Sequence, residues 1–182
     1  MVVEGRVHDR AILDALEKYD PEAVEDTVWR VARKGHDPLR GAVANGRWNA
    51  VSEFEVLYTS VSPAGALAEV GYRLSLEPVW PSKIEHELHE LKIGAQRALR
   101  FNSLAQLEQL GVDITRFESF EYAATQAISA AAHFLDFDAL VVPSARFDVA
   151  NIVLFVDRIQ TPPELIRTQN VDWDDWRAKR RR

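Results

Sequence analysis

Ala139-Leu140-Val141-Val142 and Asn151-Ile152-Val153-Leu154-Phe155-Val156 are two short runs, continuously apolar after Asn151 in the second, with Pro143-Ser144-Ala145-Arg146 between them. A strand with one face in water alternates apolar and polar residues. A run without alternation suits a strand buried on both faces. The two stretches therefore predict central strands of a sheet covered on both sides. Immediately before them, Phe120 to Leu135 predicts a helix with Phe120, Ala124, Ala127, Ile128, Ala131 and Leu135 on one side. Its small residues allow close packing on a sheet.

Further towards the N-terminus the elements are shorter. Thr27–Ala32 and Phe54–Ser60 predict strands. Ser62-Pro63 opens a helix, because Ser caps well and Pro is favoured at the first helical position. Leu67, Val70 and Leu74 form that helix's apolar stripe. Asp9–Tyr19 predicts a first helix capped by Asp9, with Ile12, Leu13, Leu16 and Tyr19 as its stripe. Lys83–Ile93 predicts a strand with a break, since Ile84 and Leu88 alternate but Leu91 and Ile93 shift phase. Ser103 and Gln106 form a capping-box pattern for a short helix ending at Gly111. Helices and strands intermix without a βαβ rhythm. The expected fold class is therefore α+β, a mixed or split β-sheet core flanked by helices.

The chain has 182 residues, enough for one domain with a sizeable core. The expected organisation is a main domain over 1–160 and a C-terminal tail over 161–182, helical or frayed. The net charge of −6 argues against direct nucleic-acid binding, which wants a basic face. With no cysteine, neither a disulfide nor a thiolate zinc site can form. No apolar run reaches the ~18 residues of a membrane span, and Met1–Arg10 carries no signal-peptide apolar core. A cytoplasmic protein is the expectation, with no membrane contact. Arg177, Lys179, Arg180, Arg181 and Arg182 make the tail basic. Trp173 and Trp176 read either as anchors for a partner or as residues folded back on the domain.

Polar and aromatic residues concentrate between 38 and 69: Pro38-Leu39-Arg40-Gly41, Asn45-Gly46-Arg47-Trp48-Asn49, Tyr58-Thr59-Ser60 and Ala66-Leu67-Ala68-Glu69. The stretch Arg33–Asn49 reads as a long loop, and long loops in small domains are often functional. Arg30 and Arg47 offer planar forks for pyrophosphate or carboxylate; the alternative is a salt bridge for each. Tyr58 precedes a helix N-terminus, a natural phosphate site. It reads either as a stacking platform for a ring or as a core tyrosine. Glu69 lies about 200° around its helix from Leu67, which predicts a solvated glutamate paired with Arg73 unless that face lines a cleft. Ser144 ends a buried strand and reads as a turn former or a ligand contact. His86-Glu87-Leu88-His89 is not His-Glu-x-x-His, and no metal site is expected. Dinucleotide, Walker and nucleophile-elbow motifs are absent.

As an ordered set, Trp29-Arg30, Pro38-Leu39, Gly46-Arg47-Trp48-Asn49, Leu57-Tyr58-Thr59-Ser60, Ala66-Leu67-Ala68-Glu69, Val142-Pro143-Ser144-Ala145-Arg146 and Asn151 resemble the RES-domain family, which supplies the toxins of Xre–RES toxin–antitoxin pairs. Two positions depart from the family pattern. Asn45-Gly46 stands for Gly-Gly, where Asn tolerates left-handed backbone, and Arg40 stands for Ser. The resemblance implies an ADP-ribosyltransferase-like fold and cleavage of the nicotinamide–ribose bond of NAD, by hydrolysis or phosphorolysis. ADP-ribosylation of a protein and a non-catalytic nucleotide- or partner-binding module are the alternatives. It implies Arg30, Glu69 and Ser144 as the catalytic trio, with Arg47, Tyr58, Trp48, Ser60 and Asn151 binding substrate. NAD enters as substrate, with no tightly bound cofactor. The implied partner is an Xre-type antitoxin, and the reading allows a homodimer.

Overall fold

A computed structural model describes residues 6–181. Of the readings above, those on Met1–Gly5 and on Arg182 lie outside the described residues. The chain runs α1 (Arg10–Leu16), β1 (Glu22–Arg33), β2 (Val56–Ser60), α2 (Pro63–Ser75), β3 (His86–Arg100), α3 (Leu104–Glu108), α4 (Ala123–Phe134), β4 (Ala139–Pro143), β5 (Ala150–Phe155), β6 (Glu164–Asn170) and α5 (Trp173–Arg180). The fold is α+β with a mixed sheet: β3 and β4 are parallel, and the other neighbours are antiparallel.

The pairings run β1–β2–β5–β4–β3 and return to β1, so the sheet closes on itself, with β6 added to the outer edge of β3. Closure is uneven. β1 and β3 share a ladder from Glu22↔Ala98 to Arg33↔His86, whereas β1 and β2 meet at the single register Trp29↔Ser60. Away from that point the two strands diverge, and the gap is where a cleft can form.

β4 and β5 are buried on both faces, as their unbroken apolar runs require. Ala139, Val141, Ile152 and Leu154 face one apolar cluster with Val28, Leu57, Leu91 and Ile93. Leu140, Val142, Val153 and Phe155 face the other, with Leu16, Trp48, Ile128 and Phe137. Burying a side chain of this size contributes roughly 1.5–3 kcal/mol. The predicted break in β3 shows only against β6, where the register shifts between Glu90 and Leu91; β3 itself is continuous. Its register with β1 runs unshifted from His86 to Ala95. What changes is the covered face: His86 and Leu88 are buried on one side, Leu91, Ile93 and Ala95 on the other. His86 and His89 therefore point to opposite faces. Trp173 Nε1 donates to His86 Nδ1 at 3.1 Å, and His89 Nδ1 lies 2.8 Å from Thr168 Oγ1.

Segment 161–181 supplies β6 and α5. Trp173 is buried, and Trp176 stacks edge-on against it. Gly71 of α2 leaves room for that ring: a Cβ there would lie 2.3 Å from Trp176 Cη2. Gly71→Leu should expel Trp176 at a cost of about 1–3 kcal/mol, against a helix-propensity gain of about 1 kcal/mol. A lower urea midpoint and red-shifted tryptophan fluorescence are the expected readouts.

Candidate active site

The gap between β1 and β2 opens into a cleft of about 420 Å³. One wall is β1 and β2 with Trp29, Arg30, Tyr58 and Ser60. A second is the loop Ala42–Trp48. The third is α2 with Ala66, Glu69, Val70 and Tyr72, and Arg146 and Asn151 close the end.

Glu69 sits on α2, and α2 lies against the sheet through its smallest residues. Gly65, Ala66, Ala68 and Gly71 are buried, while Leu67, Val70 and Leu74 are only half-buried. The expected stripe is thus not the packing face. Small residues win because they let the helix axis approach; a Cβ on Gly65 would lie 2.2 Å from Ser60 Oγ. Glu69 is one turn beyond Gly65 and Ala66 and borders that buried face. It does not pair with Arg73. Its Oε1 accepts from Ser144 Oγ at 2.6 Å and from Asn151 Nδ2 at 2.9 Å. Ser144 lies just past β4 and Asn151 lies in β5, opposite Val142 in register. Ser144 Oγ in turn accepts from the backbone N–H of Arg146 at 3.1 Å. Both donors hold Oε1, and Oε2 carries no hydrogen bond from the described residues.

The loop 42–50 is built around Asn49, which is fully buried. Its Oδ1 accepts from Tyr58 Oη at 2.6 Å, and its Nδ2 donates to Ala44 O at 2.7 Å. Tyr58 Oη also accepts from the Trp48 N–H at 3.0 Å. Gly46 is needed because a Cβ would lie 2.6 Å from both Asn49 Oδ1 and Tyr58 Oη. Close approach, not left-handed backbone, is the reason; neither Asn45 nor Gly46 has positive φ. Helix α4 clamps the loop from outside. Thr125 Oγ1 donates to Arg47 O and Ser129 Oγ to Trp48 O, both at 2.6 Å. Gln126 Nε2 donates to Asn45 Oδ1 and Gly46 O, both at 2.7 Å.

The two predicted anion ligands are braced, not salt-bridged. Arg30 donates from Nη1 to Tyr58 O at 3.3 Å and from Nη2 to Arg40 O at 3.2 Å. Arg47 donates to Phe117 O and Ser119 O, and its guanidinium stacks on Phe117 and Tyr122, 4.7 and 5.0 Å from the ring centres. Burial pushes both guanidinium pKa values down from the ordinary arginine value, opposed at Arg30 by Asp37 and at Arg47 by Tyr122. Arginine nonetheless stays protonated. Arg146 stacks 3.6 Å over Tyr72. Arg30, Arg47, Arg73 and Arg146 thus line the cleft against a single carboxylate among the described residues, Glu69.

Of the other predicted ligands, Trp48 is 2 % exposed and belongs to the core, bordering the cleft. Ser60 is 1 % exposed and packs beneath the start of α2. That helix start is closed by its own cap, Ser62 Oγ accepting from Gly65 N at 2.9 Å. On α2 the cleft lining begins at Ala66, so the expected phosphate site at this N-terminus is not part of the cleft. Sequence reasoning missed Asn49, Tyr72, Tyr122 and Arg146 as site residues. It also missed the clamp on α4, whose signal was three polar residues (Thr125, Gln126, Ser129) within an alanine-rich helix.

A family model described as RES domain matches residues 27–174. The chain belongs to the RES-domain family. It is 30 % identical over 140 residues to a probable NAD(+) phosphorylase of Mycobacterium tuberculosis, which covers 74 % of this chain and 66 % of that protein. It superposes with a TM-score of 0.82 at 19 % identity on a chain of the crystal structure of the M. tuberculosis MbcT–MbcA toxin–antitoxin complex. That superposition covers 96 % of this chain and 99 % of the other. In this RES chain Arg30 and Glu69 line one cleft, and Ser144 stands beside it on Glu69.

Tyr58 is the joint between loop and sheet. Burial pushes its phenol pKa well up from the ordinary value. The neutral form therefore contributes stability fully below the ordinary phenol pKa of ~10, lost as pH rises through the raised value. Tyr58→Phe leaves Asn49 Oδ1 and the Trp48 N–H without their partner, at a cost of about 1–3 kcal/mol. Faster amide exchange at Trp48 and a weaker alkaline loss of stability are the expected results.

Proposed function

We propose that this RES protein cleaves the nicotinamide–ribose bond of NAD. The observation that carries the reading is a carboxylate held by two neutral donors on one oxygen inside an arginine-lined cleft. NAD is a pyrophosphate carrying a ring that leaves as neutral nicotinamide. Arg146 presents a guanidinium fork suited to the pyrophosphate, and Arg47 and Arg30, braced on backbone carbonyls, add fixed positive charge beside it. As the C–N bond breaks, its electron pair goes to nicotinamide and positive charge develops on the ribose, as in glycoside cleavage. Glu69 Oε2 is the group that would face this cation and the ribose hydroxyls, and a fixed carboxylate favours the transition state without reorganising. Ser144 and Asn151 hold it in place. In this role Ser144 is a positioning residue, not a nucleophile. Tyr58 fixes the loop wall, and the rings of Tyr72 and Tyr122 flank the cleft.

The acceptor we propose is phosphate, with water the slower alternative. The name of the M. tuberculosis relative supports it. In phosphorolysis a phosphate oxygen forms the new bond to the ribose carbon as nicotinamide departs, leaving ADP-ribose 1-phosphate. The likeness to a chain of a toxin–antitoxin complex supports a toxin that depletes NAD and is held inactive by a protein partner, of Xre type on the sequence reading.

Incubation with NAD, with and without phosphate, tests the chemistry. Nicotinamide release should rise with phosphate. Glu69→Gln should lower it about 100-fold or more while leaving the unfolding free energy within about 1 kcal/mol. Ser144→Ala should lower kcat about tenfold with little change in KM. Undiminished release from Glu69→Gln would overturn the assignment.

A further inference from the structure

Arg30 also borders a second, open depression of about 480 Å³ where β1 ends and the chain turns back. We propose that it is a binding site for a phosphate group, separate from the cleft. The proposal rests on the charges gathered there. Arg30, Arg33, Arg40 and His36 line the depression, and Asp37 is its one carboxylate among the described residues. The chain as a whole carries −6, so the local excess of positive charge runs against its average. Arg33 and Arg40 are exposed and enter no ion pair among the described residues. The adjacent Lys34, by contrast, is committed to Glu85 at 3.5 Å. Asp37 turns an oxygen onto its own loop, accepting from Leu39 N at 2.9 Å.

The turn is fixed, not loose. Gly35 has φ +82°, His36 N donates to Arg33 O at 3.0 Å, and Gly41 N donates to Glu55 Oε1 at 2.7 Å. Arg30 Nη2 ties Arg40 O to β1 at 3.2 Å, which holds Arg40 beside Arg33. Arg30 Nε is buried without a partner, and an orphaned buried donor is a common mark of a site completed by water or an ion. Two uncommitted guanidinium groups, Arg33 and Arg40, with the fixed charge of Arg30 behind them, suit a dianion with several acceptor oxygens, and arginine forks match phosphate geometry. The group bound is a phosphate dianion, whether free phosphate or the monoester of a nucleotide.

Calorimetric titration of the full chain with inorganic phosphate, and separately with adenosine 2′-monophosphate against an adenosine blank, tests this without NAD present. It is therefore independent of whether the cleft cleaves NAD. Binding of either anion should weaken about tenfold or more in the R33Q/R40Q double variant, which loses two charge-assisted donors. It should persist in Arg146→Gln. Both side chains replaced are exposed and unpaired, so the double variant should keep the wild-type urea midpoint. Tighter binding of inorganic phosphate identifies the free ion as the source, and tighter binding of the nucleotide identifies a monoester. No binding of either anion overturns the site, as does binding that R33Q/R40Q leaves unchanged or that Arg146→Gln weakens equally.

Discussion

The guanidinium of Arg30 is the joint on which this architecture depends. The sheet closes everywhere by backbone pairing except between β1 and β2, which meet only at Trp29↔Ser60. Next to that point Tyr58 O has no strand partner on the β1 side, and Arg30 Nη1 takes it. Nη2 of the same side chain holds Arg40 O. One residue thus keeps two strands apart at a fixed spacing and anchors the start of the long loop. A buried guanidinium costs desolvation free energy, which burial registers as a lowered pKa. The return is a cleft whose walls cannot collapse onto each other.

From that opening the site follows by packing. α2 approaches the sheet on Gly65, Ala66 and Ala68 and receives Trp176 on Gly71. This closeness brings Glu69 within hydrogen-bonding reach of Ser144 and Asn151 at the ends of β4 and β5. On the opposite wall, Tyr58, Asn49 and the polar residues of α4 fix the loop that carries Arg47. Scaffold and site are therefore one network: side chains that a mechanism needs rigid are held by groups with no room to move. The proposed function uses only that rigidity, one carboxylate and the local excess of guanidinium groups.

Much of this was legible in the chain itself. The unbroken apolar runs at 139–142 and 152–156 meant strands covered on both faces, and Ser62-Pro63 marked the start of α2. The order of Arg30, Glu69 and Ser144 among their flanking motifs pointed to the RES family, which the match over residues 27–174 shows. Other readings failed for a common reason. Periodicity ranks residues by hydrophobicity, so it chose Leu67, Val70 and Leu74 as the buried face of α2 and put Glu69 in water. It also had no means of seeing β6 as an added strand, since Glu164–Asn170 is exposed throughout, and so could not say that the irregularity it read in β3 lies only in the β3–β6 register.

The sequence by itself determined most of the elements, the family and some of the polar residues that matter, since capping, turn chemistry and apolar runs act over a few neighbouring residues. Only the tertiary structure decided which face of α2 meets the sheet, which groups the arginines hold, and where the cleft opens. Those outcomes depend on how closely two backbones can approach. That distance is set by the absence of side chains at Gly46, Gly65 and Gly71 and by partners distant in the chain, so no local pattern contains it.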